Sequence, residues 1–201
     1  MRPTYNRKTS PKVIGGHVQR KNNHTPTASE GYVVDRVRPG KGFKHVLTKK
    51  DIHDFTDLIP DWCDISEGIE SVILDTGDEY ADGYYKHYNR EGTGAIWLSA
   101  WPSDLWITFN KEYFEEHEWL LQELGVPIEE EKDEFICHFV PSTAKAFMLL
   151  HVFLHELGHH VDKLRSRKKN IMRGGEAFAE QYANERFREL FPSYASKFGQ
   201  P

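Results

Sequence analysis

The stretch from Pro141 to about Leu164 constrains the fold most. It is the most apolar helix-forming segment of the chain, opened by Pro141-Ser142-Thr143, yet it carries His151, His155, Glu156, His159 and His160. Burying polar groups without partners costs several kcal/mol in total, on the order of 1–3 kcal/mol each in proteins. The chain must therefore fold so that something compensates them. A metal ion would do so, and so would a buried polar network around core histidines.

The segment reads Val152-Phe153-Leu154-His155-Glu156-Leu157-Gly158-His159-His160-Val161. Histidines four residues apart project from one face of a helix, and in the HExxH arrangement they grip one zinc ion. Glu156 follows the first histidine and reaches a metal-activated water without being a ligand itself. A carboxylate so placed takes the proton of that water and passes it to a leaving amine. His151 faces the same way as His155 and reads as structural. His160 points about 100° away from His159, toward another element or solvent.

A catalytic zinc commonly has three protein ligands and one open position. No His or Cys follows His160, so a downstream ligand has to be a carboxylate. The extended metzincin form of the motif needs Gly at 162 and His or Asp at 165; Asp162 and Arg165 stand there. Asp162 lies nearly in line with both histidines on one helix, a poor start for a tetrahedron. The last helix begins Gly174-Gly175-Glu176-Ala177-Phe178-Ala179-Glu180. Its apolar stripe of Ala179, Ala183, Phe187 and Leu190 meets Glu176 and Glu180 when continued backward at helical spacing. This assigns Glu176 as the third ligand and Glu180 as hydrogen-bond partner of a ligand histidine. The competing reading is a solvated acidic helix start, which the helix dipole favours.

The remaining chain supplies a small sheet. Thr48 and Asp51 open a helix with Ile52, Phe55, Leu58 and Ile59 on one face, stopped by Pro60. Residues 71–75 read as a strand, 83–88 and 95–101 as a hairpin, and 105–109 as a fourth strand. Residues 111–124 form an amphipathic helix, an acidic loop covers 129–134, and 135–140 is a strand or a helix lead-in. The last helix runs from Glu176 to about Leu190 and ends at Pro192. The order implies an α+β fold, a small mixed or antiparallel sheet packed on the two motif-bearing helices. Trp97, Trp101 and Trp106 read as core, with a cleft floor as the alternative.

Residues 1–50 hold 12 Lys/Arg against 2 Asp/Glu, whereas 51–201 hold 14 against 29. Residues 1–45 lack a hydrophobic period and read as a flexible basic tail, with Tyr32-Val33-Val34 able to add a strand; residues 46–201 form the domain. The tail reads as a solvated arm ahead of a nucleic-acid contact. The basic loop 163–169 reads as solvated too. Cys63 and Cys137 are expected to be unpaired thiols, as in a reducing compartment. The start lacks an apolar signal region, and no run reaches about 18 apolar residues, so a cytoplasmic protein without membrane contact is expected.

With these residues in view, the pattern resembles the gluzincin clan of zinc metallopeptidases, with HExxH on one helix and a Glu on the next. The run GGEAFAEQYA is similar to the Glu-bearing helix of the aminopeptidase branch, with Gly175 where that branch often has Asn. The small size also resembles the ImmA/IrrE-like regulatory metallopeptidases. The resemblance covers about residues 92–190 and implies a zincin-like fold, one zinc ion on His155, His159 and Glu176, and hydrolysis of a peptide or protein with Glu156 as general base. It also implies an edge strand that pairs with the substrate backbone; residues 94–99 are the first candidate and 105–109 the second. Gluzincins often hold the oxyanion with a Tyr or His, for which Tyr182 and Tyr194 are near in sequence. The alternative function is a regulatory or interaction protein that keeps this fold and acts through its basic tail.

Overall fold

The structure, a computed structural model, describes residues 12–14, 17–19, 31–77, 82–88, 92–132, 134–169 and 174–201. In chain order the elements are β1 (Lys12–Ile14), β2 (His17–Gln19), β3 (Val33–Arg36), β4 (Phe43–Lys44), α1 (Lys49–Thr56) and α2 (Trp62–Ile65). Then come β5 (Ile69–Leu74), β6 (Gly83–Tyr88), β7 (Thr93–Leu98), β8 (Trp101–Pro102), β9 (Trp106–Asn110) and α3 (Lys111–Glu123). The chain continues through β10 (Ile128–Glu131), β11 (Glu134–His138), α4 (Pro141–Phe147), a π-helical segment Met148–Phe153, α5 (Leu154–Lys169) and α6 (Gly175–Phe198). The architecture is mixed α+β with small sheets. No helix among the described residues is long and apolar enough to cross a membrane.

The largest sheet has the order β3-β5-β7-β6. β3, β5 and β7 run parallel, and β6 returns antiparallel to β7. β7 is buried along nearly its whole length, as an interior strand flanked on both sides should be. The expectation of an edge strand at residues 94–99 is therefore corrected: the edges of this sheet are β3 and β6. The second candidate is an edge strand, since β9 closes a separate sheet of order β10-β11-β9. The acidic loop expected at 129–134 is instead largely a hairpin, with Glu129–Glu131 pairing Glu134–Ile136. Its exposed glutamates need only the backbone ladder, which hydropathy does not report.

The fold also starts earlier than residue 46. β3 joins the main sheet, and Val34 and Val37 are fully buried, so the expected tail does not extend through residue 45. The rest of that tail, residues 1–11, 15–16 and 20–30, lies outside the described residues. The α1 helix starts as its sequence implies, with Thr48 and Asp51 forming a reciprocal capping box. The α6 helix does not end at Pro192 but continues to Phe198. Proline removes one helical hydrogen bond. Tyr194, edge-on to Phe55 and stacked on Phe198, compensates by burying the last turn. Phe55, Trp101, Phe147 and Phe153 fill the core between sheet and helices. Cys63 and Cys137 are free thiols.

Candidate metal centre

α4, the π-helical segment and α5 form one continuous helical run that passes beneath β6. Met148–Phe153 are all buried, and π turns inside α-helices are frequent at functional sites. The run delivers His155, Glu156 and His159 to the edge of the sheet. Gly158, between the two histidines, sets how closely α6 can approach. A Cβ at that position would lie 2.8 Å from the Ala179 Cα and 3.1 Å from its carbonyl oxygen. The two helix backbones nearly touch there, which carries Glu176 and Glu180 into reach of His155.

Gly158→Ala tests this packing. Alanine in a helix is worth up to about 1 kcal/mol over glycine, whereas forcing backbones apart typically costs about 1–3 kcal/mol. The opposing atoms are mainly backbone and cannot swing away, so overpacking wins. Urea denaturation should show a net loss of stability, accompanied by weaker zinc binding. A gain in stability would mean that the contact is looser than described.

The His155 Nε2 lies 3.2 Å from the Glu176 Oε2, and the His159 Nε2 lies 3.4 Å from the same oxygen. Ligand bonds of about 2.0–2.1 Å around a tetrahedral zinc put neighbouring donors roughly 3.3 Å apart, so these spacings fit the edges of such a site. All three donor atoms lie within 4.8 Å of one another. The Glu176 side chain is 84% exposed, which leaves the outward side open for a fourth partner. On the far side of the ring, the His155 Nδ1 is 3.1 Å from the Glu180 Oε2. Glu180 also accepts from the Asn184 amide. The structure thus gathers His155, His159 and Glu176 at one point and sets Glu180 behind His155.

Electrostatics separate the roles. Burial disfavours the charged form of His155, but the Glu180 hydrogen bond and the Glu156 and Glu180 charges outweigh it and raise its pKa. Burial lowers the pKa of His159, favouring the neutral imidazole a metal needs. Although burial opposes its charged form, Glu180 is held ionised, at about 2, by the His155 hydrogen bond and the neighbouring His151 and His117. Burial pushes Glu156 up to about 7, moderated by His155 and by the Tyr85 backbone N–H that it accepts. Among the described residues Glu156 belongs to neither group of clustered donor atoms.

Two residues set aside by the sequence reading position this centre. Asp162 is not placed among the ligands; its Oδ2 accepts from the backbone N–H of Gly174 at 2.9 Å and of Gly175 at 3.0 Å. It caps α6 from α5 and so fixes Glu176. A buried acidic residue three positions after the second histidine was the available signal. His160 holds the helix to the sheet: its Nε2 donates to the Glu67 carbonyl and its Nδ1 accepts from the Tyr85 hydroxyl. Gly83, at the start of β6, also shapes the centre, since a Cβ there would meet the Trp97 carbonyl and Val152 Cγ1, each at 2.8 Å.

Two cavities meet at the centre. One, of about 1710 Å³, runs past β9 and α3; the other, of about 650 Å³, runs along β6, and both are lined by Gly83, His155, Glu156 and Glu176. Trp101 and Trp106 line the first, Trp101 buried and Trp106 exposed, whereas Trp97 packs in the sheet. Tyr182 and Tyr194 line neither cavity. Tyr113, whose hydroxyl donates to Asp82 at 3.4 Å, lines the larger one. Compared with known proteins, the chain matches no family model, no curated protein and no solved structure.

Proposed function

We propose that this chain is a zinc-dependent endopeptidase whose metal is held by His155, His159 and Glu176. The observation that carries the reading is the meeting of two neutral-capable imidazoles and a carboxylate at 3.2 and 3.4 Å, from two helices locked by Gly158. A zinc ion bound there supplies a Lewis acid that polarises a carbonyl and lowers the pKa of water.

The chain's own groups do the rest. Glu156, buried beside the ligands with a carboxyl near 7, accepts the proton of the attacking water and delivers it to the departing amine. A base of that strength is matched to neutral pH, though a cation beside it pulls the value back toward the ordinary carboxylate range. Glu180 keeps the His155 ring oriented and its Nδ1 protonated, so that Nε2 offers its lone pair outward. β6 has no neighbour on its outer side among the described residues. It lines the smaller cavity and can take an extended substrate backbone as an added strand. Because cavities lead away from the centre on both sides, a chain can pass through rather than end there, which favours internal cleavage.

The test is hydrolysis of an internally quenched peptide library by the full chain. Removing zinc with a chelator should abolish cleavage, and stoichiometric zinc should restore it. Cleavage that persists in protein shown to be metal-free would remove the reading.

A further inference from the structure

Behind His155 lies a second cluster. His117 of α3, His151 of the π-helical segment and Glu180 of α6 place three donor atoms within 4.8 Å of one another. The two histidines are buried, at 3% and 5% exposure, which is a costly place for imidazoles without a purpose. The His117 Nδ1 donates to the Tyr113 carbonyl at 2.7 Å. That bond fixes the tautomer and leaves Nε2 as the lone-pair nitrogen, the arrangement a ligating histidine adopts. This Nε2 faces the Glu180 Oε1 at 4.0 Å. The separation is too long for a charge-assisted hydrogen bond, which would close to about 2.7–2.9 Å. The same Oε1 accepts from the Asn184 amide at 3.1 Å, and it turns toward the lone-pair nitrogen of His117 as two ligands of one cation do.

The His151 ring stands edge-on to His117, with centroids 4.5 Å apart. Among the described residues no hydrogen bond reaches it; its contacts are with the His117, Phe147 and His155 rings. A buried imidazole in that state has a free lone pair. All three side chains line the larger cavity, so an ion has a path in.

We infer that His117, His151 and Glu180 form a second divalent-cation site, suited to zinc, directly behind the first. Two imidazole nitrogens and one carboxylate are a donor set that zinc accepts, and a small inward shift of the 4.0 Å pair brings it to the roughly 3.3 Å of a tetrahedral edge. Glu180 links the two sites: one oxygen holds the His155 Nδ1 and the other faces the second ion. That ion ties α3, the π-helical segment and α6 together at the floor of the cleft. The inference goes beyond the peptidase reading and does not depend on it.

The experiment uses the full chain loaded with zinc alone, then desalted. Metal analysis should give two equivalents for the parent, one for His151→Ala and one for Glu176→Ala. Anomalous scattering at the zinc edge from crystals of the parent chain should place one peak against His155, His159 and Glu176 and another against His117, His151 and Glu180. This measurement does not depend on any variant folding. A single peak at the first site, with His151→Ala still binding as much zinc as the parent, overturns the inference. Zinc found only at the second site instead sinks the first-site assignment, so the two failures are distinguishable.

Discussion

Glu156→Gln is expected to keep its zinc and lose peptide hydrolysis by about 10²–10⁴-fold, the usual contribution of a positioned general base. Glutamine has the same shape, so it can still accept the Tyr85 N–H and sit against Gly83. It cannot take a proton from water. The loss should fall on kcat, with zinc content by metal analysis unchanged. A stability effect of opposite sign accompanies it in the zinc-free protein. Burial raises the Glu156 pKa in the folded chain to about 7 from 4.5. The folded state then binds a proton more tightly than the unfolded one. Its stabilisation is complete below about pH 4.5 and is lost as pH rises through 7. At pH 8 the buried charge is a net cost, on the order of 3 kcal/mol, which glutamine removes. The zinc-free variant should therefore be more stable than the parent at pH 8 and similar to it near pH 4.5. Undiminished hydrolysis by this variant would exclude Glu156 as the base.

The helices that carry the candidate metal centre were readable because their signals are local. The Thr48–Asp51 capping box, the HExxH spacing and the apolar stripe that leads back to Glu176 all lie within a few turns of one chain segment. Pairing between segments was harder to read. The identity of the edge strand depends on sheet order, which periodicity does not encode. A signal was present nonetheless: Gly83–Tyr88 alternates exposed Tyr84 and Lys86 with inward-facing Tyr85, whereas 94–98 is apolar throughout, as an interior strand should be. Pro192 misled because the rule against proline is a local one of about 3 kcal/mol, and burial of Tyr194 opposes it from residues far away in sequence. The His117–His151–Glu180 cluster joins three elements that no sequence spacing connects. Asp162 was visible as an acidic residue in an apolar helix. Its partners are backbone N–H groups across an intervening segment, and a sequence pattern does not show those.

Glu176→Ala and Glu180→Ala should separate a ligand from its support. Removing Glu176 leaves His155 and His159 as the donors at the first centre among the described residues, and two donors from one helix do not close a tetrahedron. Zinc affinity there should fall beyond about 10³-fold, and hydrolysis should fall with it at ordinary zinc concentrations. Removing Glu180 leaves all three donors but frees the His155 Nδ1, whose 3.1 Å contact with the Glu180 Oε2 sets the ring's tautomer and orientation. Loss of such a partner typically weakens a metal site by about 10–100-fold, so excess zinc should restore much of the activity of Glu180→Ala. The comparison is best made by chelator competition in a His151→Ala background, where only the ion between His155 and His159 is counted. His155 should also lose its elevated pKa in zinc-free Glu180→Ala, because burial then acts with less opposition; NMR titration of the imidazole would follow this. The opposite order of affinities, with Glu180→Ala the weaker binder, would move the third ligand to Glu180. It would leave Glu176, with its exposed side chain, as an ordinary acidic residue at a helix start.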